Sequence, residues 1–141
     1  MEINDINKII DFNKRYTRLI GMLQTSFLDS NYSFTEAHIL SELSFHHNSS
    51  ATVINEQLNL DEGYLSRVVK KLKNESLITK TQSSQDKRIY LLSLTEKGEK
   101  VYKKLNKLSA ELVLSSTEHL DEIERKELAN LLERVKDLIL K

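Results

Sequence analysis

The 141-residue sequence predicts a mainly α-helical fold carrying a small β-hairpin. Three observations predict it. Apolar residues recur at helical spacing through most of the chain. Two of the periodic segments, around Ile54 and Leu65, are separated by a short polar connection. Directly after them come two β-prone stretches, residues 77–81 and 88–94, with a polar run between.

Residues 3–28 read as a long first helix. Ile6, Ile9, Ile10, Tyr16, Leu19, Ile20, Leu23, Phe27 and Leu28 are mostly helix-spaced, and Lys14, Arg15 and Arg18 fall on other faces. Asp29 to Ser33 form a turn cluster, after which Thr35 is expected to cap a second helix over 36–45 with Ala37, Ile39, Leu40 and Leu43 as its apolar side. Residues 46–49 read as a loop. Ser50 then caps a short amphipathic segment bearing Val53, Ile54 and Leu58. Asn59, which tolerates the left-handed conformation, ends it.

Residues 61–74 form the helix on which the rest is organised. Leu65, Val68, Val69 and Leu72 stand at i, i+3, i+4 and i+7, a single stripe. Tyr64, Ser66, Arg67, Lys70, Lys71 and Lys73 fall off that stripe and face outward. Asp61 is placed to cap the first turn, and Glu62 suits the positive end of the helix dipole. At about 1.5 Å per residue the helix spans roughly 21 Å, long enough to lie along a DNA major groove. An ordinary solvated surface helix is the competing reading.

The two β-prone stretches make a hairpin whose polar tip, 82–87, lacks glycine and so exceeds a two-residue turn. Helix, turn, helix, hairpin is the order of a winged helix-turn-helix. Thr95 caps a further helix to about Ser115, with Val101, Leu105, Leu108, Leu112 and Val113 apolar; Gly98 inside it costs about 1 kcal/mol relative to alanine. After a break at Ser116 and Thr117, a last helix over about 121–140 shows Leu128, Leu131, Leu132, Val135, Leu138 and Ile139.

Composition excludes several classes. The absence of cysteine rules out disulfides, thiol redox sensing and cysteine-based zinc sites. No apolar run is long enough to span a membrane, and the N-terminal MEINDINKIIDF has no apolar signal core, so a cytoplasmic protein is expected. The net charge is zero, but it is segregated. Residues 61–107 hold twelve Lys/Arg against six Asp/Glu, and the remainder holds nine against fifteen. One basic face on an acidic remainder can meet phosphates locally whatever the total. His38, His46, His47 and His119 show no metal-ligand spacing. No paired-carboxylate, Ser–His–Asp or phosphate-loop constellation appears, so neither enzyme nor cofactor is expected.

The apolar stripes at both chain ends exceed what a winged helix needs for its core. Large apolar patches usually mark interfaces, so a homodimer is expected, built from residues 1–30 and 105–141 around a DNA-binding region of 31–104. Intramolecular packing of the two ends is the alternative.

At this point the sequence resembles the MarR family of transcriptional regulators over essentially its whole length. The most specific piece is Asp86-Lys87-Arg88 followed by Leu94-Thr95-Glu96-Lys97-Gly98, similar to the family's D-x-R wing and following L-T-x-x-G. The second runs from Leu58-Asn59-Leu60-Asp61 through Leu65-Ser66-Arg67-Val68-Val69-Lys70-Lys71-Leu72 to Leu77-Ile78. Residues 12–21 and 32–37 are similar to the DNA-binding half of members that carry an acetyltransferase domain. Asn55 departs from the family's usual small apolar residue, and Asn59 and Ser76 from glycine. An end of the 61–74 helix shifted or strained at Ser76 is therefore expected.

The resemblance implies a homodimeric regulator of repressor type reading palindromic double-stranded DNA, with the 61–74 helix in the major groove and the 82–88 wing at the minor groove. Arg88 would enter the minor groove or clasp phosphate, oriented by Asp86; a salt bridge that merely closes the hairpin is the alternative. Ser66, Arg67 and Lys70 would reach base edges, Arg67 a guanine. Tyr64, Lys71, Lys73 and Lys87 would meet phosphates or sugars, as would Ser50 and Thr52. The resemblance also implies a small-molecule effector cleft, for which Phe12, Tyr16, Leu19, Phe45 and Tyr102 are candidates; all five serve equally as core residues. Two other readings stay open: the regulatory half of an acetyltransferase fusion, and a winged-helix module that binds an acidic protein.

Overall fold

A computed structural model describes residues 2–28 and 30–139, with side chains left undescribed over 22–28. In chain order the elements are α1 (Ile3–Leu28), α2 (Phe34–Phe45), β1 (Ser49–Ser50), α3 (Ala51–Leu58), α4 (Glu62–Asn74), β2 (Ile78–Gln82), β3 (Tyr90–Leu94), α5 (Glu96–Ser116) and α6 (Glu122–Ile139). The mainly helical fold with a small sheet is as expected. The chain divides into two units, Met1–Asn106 and Lys107–Lys141, with the boundary inside α5. Among the described residues no helix is long and apolar enough to cross a membrane.

The core of the first unit is assembled from the stripes read in the sequence. Ile39, Leu40 and Leu43 of α2, Ile54 of α3, and Leu65, Val68, Val69 and Leu72 of α4 are buried with Leu77, Ile78, Leu92 and Leu105. Each buried aliphatic side chain contributes about 1.5–3 kcal/mol, so this cluster fixes how α4 sits on its supports.

Local signals set the helix ends. Asp61 accepts from the Tyr64 backbone N–H at 2.9 Å and Ser50 from that of Val53 at 3.3 Å, as anticipated. Asn59 is left-handed (φ 49°). The strain expected at Ser76 is present at φ 62°, and it leaves the end of α4 at Asn74. There the Ser76 N–H donates to Lys73 O and the Leu77 N–H to Leu72 O, a Schellman ending with serine in the position glycine usually takes. Lys97 Nζ donates to Glu75 O at 2.9 Å, placing a cation where α4 exposes its carbonyls. Thr95 caps α5 as read, accepting from the Gly98 N–H at 2.9 Å. Asp121 and Glu124 exchange bonds of 2.9 and 2.8 Å at the start of α6.

Four local expectations are corrected. The cap of α2 is Ser33, not Thr35: Ser33 Oγ accepts from the Glu36 N–H at 3.1 Å, and Glu36 returns the bond to the Ser33 N–H at 3.4 Å. The 46–49 loop ends in a strand, because Ser49 and Ser50 pair with Leu92 and Leu91, giving a three-stranded antiparallel sheet in the order β1-β3-β2. The hairpin pairs 78–82 with 90–94, so Arg88 lies in the tip rather than on a strand. Gly98 is not a tolerated cost but a requirement, since a Cβ there would overlap the Leu77 carbonyl oxygen.

At the chain ends the expected apolar stripes are partly exposed: Ile6, Ile9, Ile10, Val113, Leu131, Leu132, Leu138 and Ile139 are exposed, whereas Leu105 is buried and Leu108, Leu112, Leu128 and Val135 are half-buried. Ile3 is 78% exposed, and in the second unit Ile123 is 79% exposed and no residue of α6 is buried. The side chains of Leu23, Phe27 and Leu28, and residue Leu140, lie outside the described residues.

Candidate nucleic-acid interface

Three elements converge on one groove: α3, the flank of α4 that carries Glu62, Leu65, Ser66 and Val69, and the hairpin; Tyr64, Arg67, Lys70 and Lys73 lie outside its lining. Ser50, Thr52, Val53, Ser66, Lys80, Arg88, Ile89 and Tyr90 are among the residues that line it. Four of the residues nominated from sequence, Ser50, Thr52, Ser66 and Arg88, are thus brought together although they span 39 positions of chain. Ser50 serves twice, as the cap of α3 and as the strand partner of Leu91, which ties the start of α3 to the hairpin. Asn48 reinforces the same junction: Ser93 Oγ donates to its side-chain oxygen at 2.6 Å and accepts from its backbone N–H at 3.1 Å.

The wing tip is organised by Asp86. Its carboxylate accepts from the Arg88 backbone N–H at 3.0 Å, from Nε at 3.2 Å and from Nη2 at 3.1 Å. The Arg88 side chain is 90% exposed, so the fork is held at its root and presented to solvent. The guanidinium holds the Asp86 carboxyl below the usual carboxylate range, the backbone bond adding to the effect. Gln82 Nε2 donates to Lys87 O at 2.5 Å, and Ser83 Oγ accepts from the Gln85 and Asp86 N–H groups. This side-chain bonding shapes a tip that contains no glycine.

On α4, Tyr64, Ser66, Arg67, Lys70 and Lys73 are all exposed, as their spacing required. Lys71 differs. Its ammonium donates to Glu36 Oε1 at 2.6 Å, and Glu36 is only 6% exposed. The bond raises the Lys71 pKa. Burial and the nearby Glu75 and Glu36 carboxylates raise that of Tyr32. Lys71 therefore neutralises an acid buried beneath the basic face before it can serve any other anion.

Sequence reasoning passed over Lys80 and Tyr90, whose ammonium and ring lie 5.1 Å apart on the hairpin. The available signal was the polar run Thr79-Lys80-Thr81-Gln82 that follows Ile78, which sets a lysine in the basic stretch of the hairpin. Of the effector-cleft candidates, Phe12 and Tyr16 stack with centroids 5.3 Å apart and planes inclined by 13°. Leu19 is exposed, Tyr102 half-buried and Phe45 71% exposed. His38 Nε2 lies 3.6 Å from Glu42 Oε1, and among the described residues no group of three or more acidic or histidine side chains could hold a metal.

The chain is similar in sequence and in fold to known proteins. The MarR family profile matches residues 33–90, from the cap of α2 to the first residue of β3. The HTH-type transcriptional regulator BilQ of Clostridium symbiosum is 42% identical over 78 residues, covering 53% of this chain and 52% of that protein. The organic hydroperoxide resistance transcriptional regulator of Bacillus subtilis is 32% identical over 88 residues, 62% of this chain and 55% of its own length. The chain thus spans about half the length of the curated relatives it matches. The crystal structure of a MarR/EmrR family transcriptional regulator from an Acinetobacter species superposes over 99% of this chain and 98% of that one, with a TM-score of 0.75 at 28% identity.

Proposed function

The winged helix-turn-helix of this chain belongs to the MarR family, and on that premise we propose that the protein is a homodimeric, sequence-specific DNA-binding transcriptional regulator of repressor type. The observation that carries the reading is the convergence of α3, α4 and the hairpin on one groove, with Arg88 projecting beside it and anchored by Asp86. In this reading α4 enters the major groove, where Ser66, Arg67 and Lys70 meet base edges. Arg88 reaches the adjacent minor groove. Ser50, Thr52, Lys73 and Lys87 meet phosphates, which fix register without reading sequence. Lys71 positions α4 through Glu36.

Exposed apolar side chains near both chain ends, among them Ile9 and Ile10 in α1 and Leu131 and Leu138 in α6, support a dimer built from residues 1–30 and 105–141, which spaces two reading helices for a palindrome. A small-molecule effector against Phe12, Tyr16, Leu19, Phe45 and Tyr102 would relieve repression only by binding one spacing of those helices better than the other.

Selection from random duplex DNA tests the proposal. A palindrome with half-sites about one helical turn apart is expected, bound with an affinity that falls steeply between about 50 and 200 mM salt. No enriched sequence at low salt, from protein that is monomeric at micromolar concentration, would sink it.

A further inference from the structure

Tyr64 and Arg67 stand three positions apart on the outward face of α4, and the Arg67 guanidinium carbon lies 5.9 Å from the centroid of the Tyr64 ring. Helical side chains lean toward the N-terminus, so an arginine one turn after a tyrosine meets its ring. The same guanidinium lies beside Gly63. A Cβ at Gly63 would stand 3.7 Å from Arg67 Nη1 and 3.2 Å from Asp61 Oδ2. Gly63 has no positive φ, so backbone conformation does not call for glycine there. It leaves bare main chain beside the cation, at the end of the helix where a close approach matters most.

We propose that Tyr64 is the positioning residue for Arg67: its ring holds the guanidinium beside the bare backbone of Gly63, so the base preference of α4 depends on Tyr64 as well as on Arg67. The inference rests on the DNA-binding reading above. An arginine on an exposed helix face samples many rotamers, and few of them align both donors with one guanine edge. Attraction of the cation to the ring face removes part of that freedom before DNA arrives, which favours the aligned complex. A hydroxyl bond from Tyr64 to phosphate would act differently, because it would strengthen binding to every sequence alike.

The test uses the full chain as wild type, Tyr64→Phe, Tyr64→Leu, Arg67→Ala and the Tyr64→Leu/Arg67→Ala pair. Each is titrated on the site selected by the wild type and on its single-base substitutions. Arg67→Ala should abolish discrimination at one position per half-site. Tyr64→Leu should lower discrimination at that same position about two- to five-fold, the range of an exposed cation–π contact, and leave the other positions unchanged. Tyr64→Phe should retain the preference, and the pair should discriminate no worse than Arg67→Ala alone. In the free protein, the Arg67 Nε–H resonance should carry a ring-current shift in wild type and Tyr64→Phe that Tyr64→Leu lacks. Tyr64 lies off the core stripe, so thermal unfolding of its variants should match wild type. Wild-type discrimination in Tyr64→Leu, or uniform loss of affinity in Tyr64→Phe, overturns the inference and leaves DNA binding standing. If the wild type enriches no site, DNA binding fails and the inference falls with it.

Discussion

Asn55 holds both polar atoms of the Leu60 main chain: its amide nitrogen donates to Leu60 O at 2.9 Å, and its oxygen accepts from the Leu60 N–H at 2.8 Å. An apolar residue at this position would only fill space between α3 and α4. The asparagine instead fixes the turn between them, a side chain standing in for a backbone partner. Asn55→Ala should lower stability by about 1–3 kcal/mol, the sum of two partly buried hydrogen bonds, measured by urea denaturation. A change within experimental error would mean that water replaces both bonds.

Gly98→Ala separates helix propensity from packing. Propensity alone would reward alanine inside α5 by about 1 kcal/mol. The overlap with the Leu77 carbonyl oxygen predicts the opposite, a loss of about 2 kcal/mol or more in thermal unfolding, because backbone rather than a flexible side chain must yield.

Glu36 and Lys71 link α2 to α4, and alkaline unfolding reads the link. The Glu36 hydrogen bond raises the Lys71 pKa above its usual 10.5, so the contribution is complete below pH 10.5 and disappears as pH rises through the higher folded value. Tyr32, raised by burial and by Glu75 and Glu36, titrates in the same sense. Wild type should therefore lose stability above pH 10.5 faster than Glu36→Gln does. At neutral pH, Lys71→Met should cost about 1–2 kcal/mol, less than breaking a fully buried pair because the lysine is half exposed, while Lys70→Met should cost little.

At the wing, Arg88→Ala should weaken DNA binding and reduce the salt slope by about 1, as expected for one lost cation–DNA contact. Asp86→Asn should give a smaller defect, since the charge remains and only its orientation loosens. Asp86 is held below the usual carboxylate range, so its support for the tip is complete above that range and is lost only as pH falls through the lowered value. Binding measured by fluorescence anisotropy should thus show no Asp86-dependent change near neutral pH.

Much of this molecule was legible because its signals are local. Ser50, Asp61 and Thr95 cap helices through bonds to N–H groups three residues away, and the stripe from Leu65 to Leu72 needs only helical spacing. What sequence alone missed depends on distant partners. The two-residue β1 exists because Leu91 and Leu92 lie across from it. Lys71 reads as an outward cation, yet an acid 35 residues earlier claims it. Arg88 looked like strand because Ile89, Tyr90, Leu91 and Leu92 follow it, but Asp86 takes its backbone N–H and holds it in the turn. The Ser33 cap was readable, since Ser33 and Glu36 have capping-box spacing, and Thr35 lay closer to the apolar run.

Ser50 gives the molecule a mechanical property. One residue is both a rung of the sheet and the first anchor of α3, so the hairpin cannot tilt without carrying the root of that helix along. Prong and helix pair answer a push as one lever. Contact made at either would be felt at the other.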